Sequence, residues 1–131
     1  MRLLGIDYGT KRVGVALSDQ SGHFAFPHKA VHNDRHLLAS LTKLATEQKV
    51  GLIVIGDSKN YRGEDNPVMV KIRKFRDELE AKLKEAGLEI KIVSEPELLT
   101  SAEAERIQGK TADHDASAAA LILKSYIDKQ N

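Results

Sequence analysis

The sequence predicts an α/β domain, a mixed five-stranded sheet with helices on both faces. Three observations lead there. The chain opens with three short β-type runs joined by turns; from Asp34 onward the apolar spacing alternates between helical and strand periods; and the run Gly51 to Gly56 is almost wholly apolar, as a strand covered on both faces should be. Hairpin-linked strands followed by βαβ crossovers make a mixed sheet, and the crossovers place helices against it. At 131 residues, with no internal repeat, low-complexity tract or linker, the chain reads as a single domain spanning residues 1–131.

Leu3, Leu4 and Ile6 suit a first buried strand, and Val13 to Leu17 can pair back on it through Gly9-Thr10-Lys11. Gly22 to Val31 is a third strand, with Pro27 pointing to an edge or a bulge. Leu37, Leu38, Leu41, Leu44 and Ala45 then follow helical spacing, so Asp34 to about Gln48 is an amphipathic helix capped by Asn33 or Asp34. Gly51 to Gly56 is the fourth strand, ending at Asp57, and the polar segment Ser58 to Asn66 is a loop. Pro67 opens a helix whose apolar face is Val68, Val70, Ile72, Phe75, Leu79 and Leu83, whose other side is crowded with Lys and Arg, and which stops at Gly87. Leu88 to Val93 alternates as the fifth strand. Thr100 to about Gln108 begins with a capping-box pattern and is a short helix, and the apolar run from Asp113 to Ile127 forms the last one.

Lys plus Arg number 20 against 19 Asp plus Glu, a formal charge of +1, so any affinity for nucleic acid must come from local patches. The absence of cysteine excludes disulfides and thiolate zinc sites and fits a reducing compartment. No signal-peptide pattern and no apolar run of about 20 residues is present, so a soluble cytoplasmic protein without a membrane partner is expected.

Asp7 is the most informative residue. Turn chemistry accounts for Gly9 and Thr10 but not for an acid at the end of an apolar run, and glycines at positions 5 and 9 would let a large ligand approach the backbone. Other acids fall at corresponding strand ends and helix starts: Asp57 after the fourth strand, Glu95 and Glu97 after the fifth, Asp113 and Asp115 at the last helix. Ligands of open sheets gather beyond the carboxyl ends of parallel strands, so these carboxylates could converge on one cleft, and converging carboxylates need a cation between them. Hard oxygen donors without Cys select Mg²⁺ or Mn²⁺, and two such ions roughly 3.5 to 4 Å apart are the usual device for phosphodiester cleavage. Asp113 is better explained as a helix-capping acid than as a catalytic one, and Glu95 and Glu97 flank Pro96, so that one would face the cleft and the other solvent.

The segments GIDYGTKRVGVALSD, IVIG, LTSAEAER and DASAAALILKSYID together resemble the YqgF/RuvX family of RNase H-like nucleases, over nearly the whole chain. The family is described as Holliday-junction resolvases or as nucleases that trim the 5′ end of pre-16S rRNA. The resemblance implies an RNase H-like fold, a divalent metal site, hydrolysis of structured nucleic acid, and Asp7 and Asp115 as two of the active-site acids. The third is where this chain departs from the family. Ser94-Glu-Pro-Glu-Leu98 stands where the family has Asp-Glu-Arg; aligned from Leu99-Thr100-Ser101 the family Glu falls on Glu97, and counted from the strand it falls on Glu95. Asp7, Glu97 and Asp115 are therefore the expected catalytic and metal-binding set, with Asp57, Glu95 and Asp113 as auxiliary candidates.

Lys11, Arg12, Lys59, Arg62, Arg106 and Lys110 are candidate phosphate contacts, although any one of them taken alone reads first as a solvated surface charge. Tyr8 and Tyr61 could stack on unpaired bases, and His114 is the one histidine near the expected site. Two rival classes share these features. An actin-like or sugar-kinase ATPase also begins with an Asp-x-Gly strand, but it closes two lobes around ATP and carries a further glycine-rich loop absent here; a non-catalytic nucleic-acid or ribosome-associated module would be separated from a nuclease by metal-dependent cleavage. The highly charged exposed side of the helix from Pro67 leaves no apolar stripe for an obligate interface, so a monomer or a weak dimer on substrate is expected.

Overall fold

The computed structural model describes residues 1–59, 67–98 and 112–130; within these, the side chains of Ser58, Lys59, Glu97, Leu98, Ala112, Asp113 and His114 are not described. Five strands, β1 (Arg2–Asp7), β2 (Arg12–Ser18), β3 (Ala25–His32), β4 (Val50–Lys59) and β5 (Lys91–Leu98), form one sheet in the order β3-β2-β1-β4-β5. β1 and β2 and then β2 and β3 pair antiparallel, whereas β4 lies parallel to both β1 and β5. Helices α1 (Leu37–Glu47) and α2 (Val68–Glu85) cover one face and α3 (Ala112–Gln130) covers the other. Among the described residues no helix is long and apolar enough to cross a membrane. The short helix expected over residues 100–108 lies outside the described residues.

The strand period of two sorts the core into two layers. Leu4, Ile6, Val13, Val15, Ile53 and Ile55 meet α1 and α2, while Leu3, Ala16 and Val54 meet Ala119, Ile122, Leu123 and Ile127 of α3. β4 is apolar on both sides because it has a helix layer on both sides. Two glycines set how closely α3 can lie. A Cβ on Gly5 would fall 2.9 Å from the Ala119 carbonyl oxygen and from Leu123 Cβ, and one on Gly14 would fall 1.9 Å from the Asp115 carbonyl oxygen. Gly5 and Gly9 were expected to make room for a ligand; instead Gly5 receives the helix, and Gly9, where a Cβ would stand 2.3 Å from the Arg12 carbonyl oxygen, lets the β1–β2 turn close.

Several boundaries differ from the sequence expectation. α1 starts at Leu37 rather than at Asp34: the Asp34 carboxylate accepts the His36 backbone N–H in a local turn, and Asn33 donates its side-chain amide to the Gly9 carbonyl, so neither acts as the helix cap. On α2 the buried stripe is Met69, Ile72, Phe75, Leu79 and Leu83, with Val70 exposed, because Val70 lies two positions from Ile72 and so on another side of the helix. α2 ends at Glu85 and the chain turns away at Gly87 (φ 76°), with the Leu88 and Gly87 N–H groups donating to the Leu83 and Lys84 carbonyls, which satisfies the last turn while Leu88 packs back on the core. β5 begins three residues later than expected and runs through Pro96 to Leu98. It is an edge strand, where a residue without N–H is tolerated. β3 is the other edge and Pro27 sits beside an irregularity in its register, so the edge and the bulge both occur; Phe24 (66% exposed) and Phe26 (55%) stand in solvent there, an apolar patch that the composition did not announce.

Candidate active site

β1 ends at Asp7, whose place in the strand alternation puts it on the α3 face with Leu3 and Gly5. Its partner across the ladder is Gly14. Because Gly14 has no side chain, the first turn of α3 rests directly on it, and Asp115 is thereby brought to the same place as Asp7. Asp7 and the backbone of Asp115, far apart in sequence, thus both lie against one glycine. Asp115 is buried, and Arg12 at the start of β2 donates from Nε to its Oδ2 at 2.6 Å. A buried carboxylate needs such a partner, since burying an uncompensated charge costs far more than a surface pair returns. Arg12 was read as a phosphate contact; its Nε–H is committed to Asp115, and its side chain keeps 36% exposure at the rim.

The row continues across the sheet. One step past the Ile6–Ile55 pair, Asp7 comes level with Gly56, and Gly56 pairs with Glu95. Glu95 is therefore on the same face as Asp7 but two strand spacings away, about 10 Å between backbones. It is buried, and it accepts hydrogen bonds from Ser125 Oγ at 2.7 Å and Lys129 Nζ at 2.6 Å on the last turns of α3. α3 is consequently pinned at both ends by opposite polarity: it supplies an acid to β2 at its start and a base to β5 near its end. The expectation that the Glu-Pro-Glu segment follows the fifth strand is corrected, because the segment lies inside β5.

Asp57 is placed differently. It follows Ile53 and Ile55 in the alternation, on the face that α1 and α2 cover, whereas Asp7 is on the α3 face. Position at a strand end suggested one cleft for both; the strand period separates them. Lys11 is exposed in the hairpin turn, where its carbonyl accepts the Asn33 backbone N–H. Tyr61, Arg62, Arg106 and Lys110 lie outside the described residues, as do the side chains of Lys59, Glu97, Asp113 and His114. Among the described residues no set of three or more acids and histidines forms a metal-binding group. Arg76 belongs to the side of α2 that is crowded with Lys and Arg, yet it donates to Ser94 Oγ at 2.5 Å and to the Ile92 carbonyl at 3.0 Å and ties α2 to β5. A long cation one turn from the buried stripe gives no local sign of such a reach.

The arrangement is similar to known proteins in fold and in sequence. RuvC of T. thermophilus in complex with a Holliday junction substrate superposes with a TM-score of 0.61 over 99% of this chain and 95% of that one, at 15% identity. The fowlpox virus Holliday junction resolvase gives 0.59 over 98% and 99%, also at 15% identity. The fold is thus the RNase H-like fold of these resolvases. In sequence, a protein of Maridesulfovibrio salexigens named "Putative pre-16S rRNA nuclease" is 34% identical over 135 residues, covering 97% of this chain and 98% of its own. A protein of the same name from Thermoanaerobacter pseudethanolicus is 34% identical over 141 residues, covering 99% and 98%. The family model described as "RuvX: Holliday junction resolvase" matches residues 1–129. With an unbroken family match and relatives aligned nearly end to end, this chain belongs to the RuvX family.

Proposed function

We propose that this protein is a metal-dependent nuclease that hydrolyses phosphodiester bonds in structured nucleic acid, and that its substrate is the 5′ end of pre-16S rRNA. The observation that carries the proposal is that Asp7 pairs across the ladder with Gly14 while the backbone of Asp115 rests on that same glycine, at the carboxyl end of β1. Hard carboxylate oxygens from a strand and a helix are the donor set for Mg²⁺ or Mn²⁺, and Asp7, Glu97 and Asp115 would hold the ions, two in number. Bound divalent cations supply activation of the attacking water and neutralisation of charge at the leaving oxygen. The protein's own part is positional: β1 and α3 hold their acids rigidly, and Arg12 carries a cation to the rim, where it can meet a phosphate while it balances Asp115. Lys11, Lys59, Arg62, Arg106 and Lys110 would extend phosphate contact along the strand.

Names of sequence relatives favour rRNA, and the structural neighbours' junction-bound state keeps junction resolution as the second reading. The chain acts as a monomer or as a weak dimer on substrate in the first reading and needs a dimer in the second, since a junction is cut in two symmetry-related strands. The deciding experiment runs pre-16S rRNA leader and four-way junction DNA side by side, with Mg²⁺, with Mn²⁺ and with chelator. Metal-dependent cleavage of the leader is expected; cleavage of the junction alone would establish the second reading, and no cleavage of either would leave a binding module.

A further inference from the structure

On the face of the sheet opposite Asp7 lies a cleft of about 490 Å³, between the β1–β2 turn, the start of α1 and the first turns of α2. Tyr8, the residue after Asp7, forms part of its wall with Phe75, their ring centroids 4.9 Å apart and their planes tilted by 38°. Exposed Arg35, Lys71 and Lys74 line it as well. Asp34 and Glu78 line it too, so its three cations outnumber its acids by one. None of this is needed for the acids on the α3 face.

We infer that this cleft is a nucleotide subsite that takes one unpaired nucleotide of the substrate strand, its base against Tyr8 and its phosphate between Lys71 and Lys74. The volume is that of a small-ligand site, and the cleft is open to solvent along one side, as a site for one nucleotide of a longer strand must be. An aromatic wall beside flexible cations is the pairing that binds single-stranded nucleic acid without reading its sequence, the ring taking the base and the ammonium groups the phosphate. A base inside a duplex has both faces covered by its neighbours and cannot offer one to Tyr8, so the subsite selects an unpaired end or loop over continuous duplex. Asp7 and Tyr8 are adjacent in the chain and point to opposite faces, so a strand crossing the carboxyl end of β1 meets both. The inference rests on the nuclease reading for the identity of the strand, but the binding itself requires no metal and no cleavage.

The test is therefore made in chelator, with a fluorescent single-stranded RNA pentamer as probe and a nucleoside monophosphate, inorganic phosphate and a blunt RNA duplex as competitors. Tyr8→Leu, which keeps an apolar contact with the core, should weaken the pentamer by roughly 5- to 100-fold, while Tyr8→Phe binds as the parent does. The double variant Lys71→Gln, Lys74→Gln should weaken it and make the salt dependence shallower. Thermal melts of each variant separate lost binding from lost fold. Parental affinity in Tyr8→Leu, or a duplex that competes as well as the pentamer, overturns the inference. A monophosphate that binds more tightly than the pentamer assigns the cleft to a free nucleotide and overturns its substrate-strand role. Pentamer binding that obeys these expectations, in a protein that cuts nothing with metal present, would remove the nuclease reading and leave the subsite standing.

Discussion

Arg12 Nε donates to Asp115 Oδ2 at 2.6 Å, a link across 103 residues of sequence between the start of β2 and the first turn of α3. The pair joins the cation carried by the hairpin to a buried acid of the helix. The guanidinium provides the charge balance that the buried carboxylate needs.

Arg12→Gln should therefore lower stability in chelator by about 1 to 3 kcal/mol, because Asp115 is left buried with a neutral partner. Mn²⁺ should raise the melting temperature of this variant by more than it raises that of the parent, since the site no longer holds a competing cation. Equal shifts in the two proteins would show that Arg12 does not compete for Asp115.

Asp7→Asn keeps the shape of the side chain and removes its charge. Cleavage should fall by more than about 100-fold, with the far-UV spectrum and melting temperature near those of the parent. Gel assays in Mg²⁺ measure the first and thermal scans the second; a variant that cuts like the parent would remove Asp7 from the reaction.

Lys129→Met leaves Glu95 buried with Ser125 as its remaining partner, and a cost of about 1 to 3 kcal/mol by denaturant titration is expected. Glu95→Gln, which can still accept the Ser125 hydroxyl, should retain cleavage. Loss of cleavage with retained stability in Glu95→Gln would make Glu95 an acid of the reaction instead of a tie to α3.

Asp19, in the β2–β3 turn, accepts the Ser21 hydroxyl and the backbone N–H groups of Phe24 and His23, which together hold its carboxyl well below the ordinary carboxylate range. A depressed folded-state pKa contributes stability above the unfolded value of 3.8, and that contribution is lost as pH falls from there toward the folded value. Asp19→Asn should accordingly be less stable than the parent at neutral pH, and the difference should narrow below about pH 4. A difference that is constant with pH would assign the effect to turn geometry instead of charge.

Where periodicity was strong, the sequence predicted the structure closely. The β1–β2 hairpin, the doubly covered β4 and the stop of α2 at Gly87 follow from alternation, from an unbroken apolar run and from a glycine able to take positive φ. The extent of β5 was hidden because Pro96 reads locally as a break, and it stays in the strand only by virtue of an edge position that depends on the whole sheet. The start of α1 was misplaced because Asn33 and Asp34 bond locally to other groups. At the candidate site, Asp7 and Asp115 were legible as motif residues. That they share a face while Asp57 does not depends on strand parity, which one residue of uncertainty in a boundary erases. The ties of Glu95 to Lys129 and of Arg12 to Asp115 are long-range pairings with no local pattern.

The contact between Gly14 and Asp115 also orders events in time. One half of the acid pair sits at the beginning of the chain, on the first strand, and the other on its last described helix, so the pair exists only after α3 has docked on β1 and β2. Closing so long a loop is entropically late, and local hairpins and helices form sooner. During synthesis, therefore, the emerging chain displays Asp7 without its counterpart. On the proposed reading of these two acids as the reacting pair, a nascent or partly unfolded copy would lack the assembled site, and cutting would wait until the fold is complete.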